Sequence, residues 1–242
     1  MALDEALMAR ARRTGEHVLR VYGWSAPTLS LGRNQRAHGV YLLDELGRRG
    51  IGVVRRPTGG RALLHHREIT YSVTAPCTAD SGLAAEYRRI NLLLSSALGA
   101  LGVPVDVAAP VSRSAPPSAT PCFAEPARGE LTFDGRKLVG SAQWRHEGAL
   151  LQHGSILVDD DQTAIPALMR EVPPVPLSVR PATLRDALGR APVLHEAAEA
   201  LFAAVRTLLD PRALPLEHED VLAQDAERLA TRFRDDTWTW RR

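Results

Sequence analysis

The amino-acid sequence predicts an α+β fold, in which helices flank a mixed and mostly antiparallel sheet. Three observations carry that prediction. Period-two alternation of apolar and polar residues dominates the first two thirds of the chain. Helical spacing in proline-separated segments dominates the last third. Two strand-to-strand connections, at "DG" 134–135 and "HEG" 146–148, have the composition of hairpin turns, which join antiparallel neighbours.

The elements follow in order. Leu3, Leu7 and Ala11 sit at helical spacing, with acids early and arginines late, as the helix dipole favours, so 3–13 is a helix. "HVLRVYGW" alternates, with Leu19 and Val21 on one face and Arg20 and Tyr22 on the other, and reads as a strand. "APTLSLGRNQ" holds a second strand, "VYLLDELGRRG" a short helix stopped at Gly50, and "IGVVRRP" a strand broken by Pro57 and the glycines. In "EITYSVT", Ile69, Tyr71 and Val73 face one way and Glu68, Thr70 and Ser72 the other. Tyr87, Ile90, Leu94, Leu98 and Leu101 stripe a helix over about 83–101. "VPVDV" is a short strand, and "AAPVSRSAPPSATP" reads as a surface loop. Residues 129–159 form a three-stranded meander, and helices are expected around 163–171, 183–188, 193–209 and 217–233. The whole, 1–242, is expected to be one domain with a helical C-terminal part from about 163.

The totals exclude several classes of function. A net charge of +2, alternating in sign along most segments, does not argue for nucleic acid as a partner. No apolar run approaches the roughly 18 residues that a membrane span needs. "MALDEALMARARRTG" mixes acids with bases and is not a signal peptide. Two cysteines without a secretory signal suit a cytoplasmic protein with reduced thiols, and the absence of an exposed apolar stripe suits a monomer.

Four features bear on chemistry. The turn "RRPTGGRA" (55–62) lets backbone approach a ligand at Gly59 and Gly60, or serves only as a tight connection. Alternation sends Arg55 and Arg56 to opposite faces, so one of them reaches the turn. Cys122, between Pro121 and Phe123, is either an inert thiol or a nucleophile whose pKa a nearby cation lowers; Cys77 reads as structural. Lys137 shares a strand face with Val139, opposite Arg136 and Leu138. It is either a surface lysine or leans over Gly140, Ser141 and Ala142, small residues fit to floor a slot for a narrow chain. His153 either holds its strand or orients the site. Adjacent His65 and His66 must diverge on a strand, and with His17, His38, His146, His195 and His218 they offer no metal-binding spacing.

Taken together, "RRPTGGRALLHHREITYSV", "PCFAEP…GEL" and "GRKLVGSAQWR…LLQHGSIL" resemble the lipoate–protein ligase and octanoyltransferase superfamily, the biotin/lipoate A/B protein ligase family. "MALDEALM", "LRVYGWSAPTLSLGRNQ" and "ERLATRFRDDTWTWRR" extend the resemblance over nearly the whole chain, in order. The "PTGGRA" turn, the following "TYSV" and the cysteine of "CF" look most like the cysteine-dependent octanoyl and lipoyl transferases. Lipoate ligases tend to have a third glycine where this chain has Arg61.

The resemblance implies a biotin/lipoate protein ligase-like catalytic domain, its sheet curled around a tunnel for an eight-carbon acyl chain. It implies Cys122 as nucleophile and Lys137 as its catalytic partner. Substrate contacts are expected from Arg55, Thr58, Gly59, Gly60, Arg61 and His65 on the first motif. Gly140, Ser141, Ala142, His153 and Gly154 supply them from the last. The implied donor is an octanoyl- or lipoyl-carrying protein, an acyl carrier protein or a glycine-cleavage H-type protein, and the acceptors are apo lipoyl domains. No cofactor or metal is expected; ATP and magnesium enter only in the alternative, an ATP-dependent lipoate–protein ligase. A second alternative is a non-catalytic binder of acyl groups or lipoyl domains. Two departures accompany the resemblance. His66 stands where the family usually has aspartate, so the turn must be oriented in another way. The family also carries a strand ahead of "MALDEAL", so the sheet is expected to lack an edge strand, or the start to lie further upstream.

Overall fold

The computed structural model describes residues 1–77, 82–108, 123, 129–171, 180–217 and 219–242. The chain folds as α1 (Ala2–Thr14), β1 (Val18–Tyr22), β2 (Thr28–Leu31), α2 (Leu43–Arg48), β3 (Gly52–Arg55), β4 (Leu63–His65), β5 (Glu68–Pro76) and α3 (Leu83–Ala100). Then come β6 (Asp106–Val107), β7 (Leu131–Phe133), β8 (Arg136–Lys137), β9 (Val139–His146) and β10 (Ala149–Leu157). A 3₁₀ helix (Gln162–Leu168) leads into α4 (Leu184–Leu188), α5 (Leu194–Leu208), α6 (Asp220–Arg234) and α7 (Asp236–Thr239). No helix among the described residues is long and apolar enough to cross a membrane.

The expected strands fall into three sheets. The largest is antiparallel, in the order β1-β5-β10-β9; a second, β3-β2-β4, pairs β2 parallel to β3 and antiparallel to β4; the third is β6-β7-β8. The two hairpin turns carry positive φ at both central residues, Asp134 and Gly135 in one and Glu147 and Gly148 in the other. That backbone matches the twist of the strands they join.

Alternation along β5 decides where the core lies. Ile69, Tyr71 and Val73 point into the main apolar cluster with Ile90, Leu94 and Leu98 of α3 and Leu201 of α5. Glu68, Thr70 and Ser72 point the other way, yet they too are buried, because α1 and the second sheet cover that face. A second cluster, with Leu29, Leu31, Leu64, Ile165 and Leu168, fastens the second sheet to the 3₁₀ helix.

Three expectations change. β4 and α7 are too short for any periodicity to show. "VPVDV" contributes only Asp106–Val107, both exposed. Lys137 and Val139 do not share a strand face, because the chain changes sheets at Leu138. β8 pairs with β7 and β9 with β10, and Leu138 and Val139 both enter the main core. The loop expected at 108–121 lies, beyond Ala108, outside the described residues.

Candidate acyl-transfer site

The buried polar face of the large sheet is laid out by strand register. One row crosses four strands as Tyr22, Thr70, Ser155 and Gly140, and the next as Arg20, Ser72, His153 and Ala142. Above these rows lies a cavity of about 50 Å³, closed from the second sheet by Arg56, Gly60, Leu63 and His65. Gly140, Ser141, Ala142, His153 and Gly154, for which the resemblance implies substrate contacts, line it, with Gly60 and His65 opposite.

The glycines are demanded by space. A Cβ on Gly154 would fall 2.4 Å from the Gly140 carbonyl oxygen and 2.7 Å from Tyr71 Cε1. A Cβ on Gly32, at the end of β2, would fall 1.9 Å from the Gly60 oxygen, so the glycine turn folds back onto that strand. Gly60 has φ +96°, and a Cβ there would meet Arg56 Nη2 at 2.7 Å. Substituting Gly154 by alanine is expected to cost about 1–3 kcal/mol, since backbone must move; a urea titration of the variant measures it.

Arg56, not Arg55, serves the turn. The Arg56 guanidinium donates to the carbonyls of Gly59 (3.0 Å) and Arg61 (2.6 Å), and to the Ser30 carbonyl (3.1 Å) and hydroxyl (2.9 Å). Arg55 leaves the opposite side of the strand, fully buried. It donates to the Thr239, Gly32 and Gln35 carbonyls, which anchors β3 to the end of α7. Arg55 therefore does not touch the cavity, and its expected substrate contact is withdrawn. Thr58, Gly59 and Arg61 stand one layer behind the lining: the two carbonyls accept from Arg56, and Thr58 Oγ1 lies 2.6 Å from His153 Nε2.

Two buried carboxylates organise the floor. Glu68 Oε1 accepts from Thr70 (2.6 Å) and Ser155 (2.6 Å) and meets His65 Nδ1 at 2.7 Å. The other ring nitrogen of His65 is 2.7 Å from the Ser30 hydroxyl, and Trp24 stacks on the ring. Burial pushes the Glu68 carboxyl upward, but the His65, Ser155 and Thr70 contacts outweigh it and hold the group below the usual carboxylate range. An ionised Glu68 thus draws hydroxyls that line the cavity away from its interior, which makes a face rich in polar residues compatible with an apolar guest. Sequence alternation had placed Glu68 and Thr70 on one face; nothing local marked that face as buried.

Asp4, on α1, accepts from Ser72 (2.8 Å) and Arg20 (2.9 Å), with His153 Nδ1 4.0 Å from its second oxygen. Burial lowers the pKa of His153 despite Asp4, so the neutral ring is favoured, with the Thr58 hydroxyl as the hydrogen-bond partner of its Nε2. A histidine whose pKa is depressed in the folded state binds fewer protons than the unfolded chain just below the ordinary value of about 6.5. Stability is therefore expected to fall as pH drops through about 6.5 and below. Thermal melts of wild type and His153→Gln across pH 5–8 (roughly the range in which histidine titrates) check this: the slope should flatten in the variant.

Lys137 lies beside Gly140, where a Cβ would stand 3.3 Å from its Cε and 2.9 Å from the ring of Phe123. Its side chain is buried, with Nζ 2.7 Å from Glu130 Oε1 and 4.8 Å from the centre of the Phe123 ring. A lysine ammonium is thus held at the Gly140 end of the first row. Glu130, within the "GEL" of the resemblance, is a site residue that sequence reasoning did not single out. Cys122 lies outside the described residues.

The two adjacent histidines diverge as expected: His65 is buried against the cavity and His66 exposed. The carboxylate that orients the His66–Arg67 turn comes from Asp161, which accepts from the Arg67 backbone N–H (3.0 Å) and guanidinium (2.7 Å).

Comparison with known proteins identifies the family and the fold. The model of the lipoyl protein ligase A/B catalytic domain matches residues 1–206. An octanoyltransferase LipM from Kyrpidia tusciae is 40% identical, over all of this chain and 94% of the relative. One from Symbiobacterium thermophilum is 36% identical, over all of this chain and 93% of the relative. Among solved structures, a putative lipoate protein ligase from T. acidophilum with bound lipoic acid superposes with TM-score 0.78 at 22% identity, covering 99% of this chain and 92% of that one. A lipoate-protein ligase A bound with ATP gives 0.80 at 22%, covering 99% and 92%. These two show the same α+β fold, as motif order, strand alternation and hairpin chemistry anticipated. On the family match and the full-length relatives, the chain belongs to the lipoyl protein ligase A/B catalytic domain family.

Proposed function

We infer that the protein is a protein octanoyltransferase of the lipoylation route, carrying an octanoyl group from a carrier-protein thioester to the lysine of an apo lipoyl domain. The observation that carries this reading is Lys137. It is a buried cation beside Gly140, which lines the cavity, and against Phe123, the residue that follows Cys122. Full-length relatives named octanoyltransferase support it.

The chemistry runs in two exchanges. The Cys122 thiolate attacks the thioester carbonyl; the carbon–sulfur bond to the carrier breaks, and the carrier thiol departs with a proton. The acceptor amine then attacks the acyl-enzyme, an amide forms, and Cys122 is released as thiol. Lys137 stabilises the negative charge that develops on the carbonyl oxygen and favours the thiolate. Gly60 bounds the same cavity, where backbone N–H groups of the turn can meet that oxygen. The first exchange replaces one thioester by another and the second is downhill, so neither ATP nor magnesium is required.

Intact-mass measurement after mixing with an octanoyl thioester, in the absence of ATP and acceptor, tests the reading. An added octanoyl group that transfers to an apo lipoyl domain supports it. Transfer that requires free acid and ATP would overturn it in favour of a ligase.

A further inference from the structure

Polar side chains line the cavity, yet the hydrogens of its floor are directed out of it. Thr70 and Ser155 face each other on adjacent strands, in the first row of that floor. Thr70 Oγ1 accepts from the indole N–H of Trp24 (2.8 Å), and its own hydrogen goes to Glu68 Oε1 (2.6 Å). The Ser155 hydroxyl donates to the same oxygen (2.6 Å). On the opposite wall, His65 has both ring nitrogens engaged, Nδ1 with that oxygen (2.7 Å) and Nε2 with Ser30 Oγ (2.7 Å). Arg56 turns its guanidinium to the carbonyls of Gly59, Arg61 and Ser30. Of the other lining hydroxyls, Ser141 is paired with Tyr71 (2.6 Å), and Tyr22 ends the row opposite Gly140.

The residue that collects these hydrogens is itself buried and does not line the cavity. Three contacts converge on Glu68 Oε1, while Oε2 is buried and takes no hydrogen bond among the described residues. A buried carboxylate oxygen left unpaired costs stability. An apolar side chain at 68 would remove that cost, but it would also release the hydrogens of two hydroxyls that line the cavity.

We propose that Glu68 determines which acyl chains the cavity admits. By withdrawing the hydrogens of Thr70 and Ser155, it leaves an oxygen carried at mid-chain without a donor. A buried acceptor with no donor is penalised, and a methylene group in its place is not. The selected class is therefore the saturated, unsubstituted chain, and chains with a keto or ether oxygen beside Thr70 and Ser155 are refused. The inference rests on reading this cavity as the acyl site, and it names the residue that selects the cargo.

The test compares octanoic acid with its analogue in which an ether oxygen replaces a mid-chain methylene. Binding is read by calorimetry, and acylation from the matching N-acetylcysteamine thioesters by intact mass. Wild type is expected to bind the ether chain about ten- to a hundredfold more weakly than octanoic acid. Glu68→Leu should narrow that ratio to about threefold, because a released hydroxyl can donate to the ether oxygen. Glu68→Leu/Thr70→Val/Ser155→Ala should restore the wild-type ratio. A merely structural role for Glu68 would weaken both chains alike and leave the ratio unmoved. Thr70→Val/Ser155→Ala keeps the test open if Glu68→Leu does not fold. With Glu68 in place the two hydroxyls already face away, so this pair should hold the ratio within about twofold of wild type. Equal binding of the two acids by wild type would overturn the proposal. So would a ratio indifferent to Glu68→Leu, or one that widens in Thr70→Val/Ser155→Ala, which would mean that the hydroxyls serve the guest. Selective binding without an acyl-enzyme would end the transferase reading alone. An acyl-enzyme formed equally from both thioesters would end this one alone.

Discussion

Cys122→Ala is expected to abolish transfer from carrier to lipoyl domain, lowering kcat by about four orders of magnitude or more, as loss of a covalent nucleophile does. The same variant should show no added octanoyl mass when the wild type is fully acylated. Cys77 provides the internal control. It is buried at the end of β5, where its backbone N–H donates to the Gly148 carbonyl (2.8 Å), and Cys77→Ser should still acylate. Retention of ATP-independent transfer by Cys122→Ala would end the case for a thiol acyl-enzyme. Cys122→Ser, whose oxygen nucleophile is far less ionised at neutral pH, should acylate slowly if at all.

Lys137→Met is the second change of large effect, and it carries two separable consequences. On the proposed mechanism, removing the Lys137 charge is expected to lower kcat by about 10²–10³ with little change in KM. Removing the cation that faces the buried Glu130 carboxylate should also cost about 3–5 kcal/mol of stability, the usual penalty when one partner of a buried ion pair is deleted. The double variant Lys137→Met/Glu130→Gln distinguishes the two. Glutamine carries no charge to strand, so stability should return, measured by denaturant titration, while kcat stays low. A double variant that recovers turnover would reduce Lys137 to a structural role.

Part of this was legible in the amino-acid sequence alone. Leu3, Leu7 and Ala11 at helical spacing, the alternation of "EITYSVT" and the two glycine-bearing hairpin turns are local signals, each set within a few residues by backbone geometry. Gly140, Ser141, Ala142 and Gly154 announce a close approach because a missing side chain is visible in the sequence itself. The choice between Arg55 and Arg56 was not legible: alternation sends them to opposite faces without saying which face holds the cavity. The side chains of Ser30, Glu68, Asp4 and Glu130 were likewise silent. Their roles depend on partners from other strands and helices, and a polar residue in a strand reads as solvent-facing until something covers it.

Periodicity and turn chemistry were enough to predict an α+β chain, and the resemblance carried by three ordered motifs was enough to predict its family and two side chains to be tested. Packing decided the rest. It divided the strands among three sheets, laid α1 and the second sheet over the polar face of the first, and turned that face into the floor of a cavity. It set Arg56 rather than Arg55 at the glycine turn. The physical reason is range. Backbone propensity and side-chain alternation act between near neighbours, while burial and charge pairing act between groups that only the folded chain brings together.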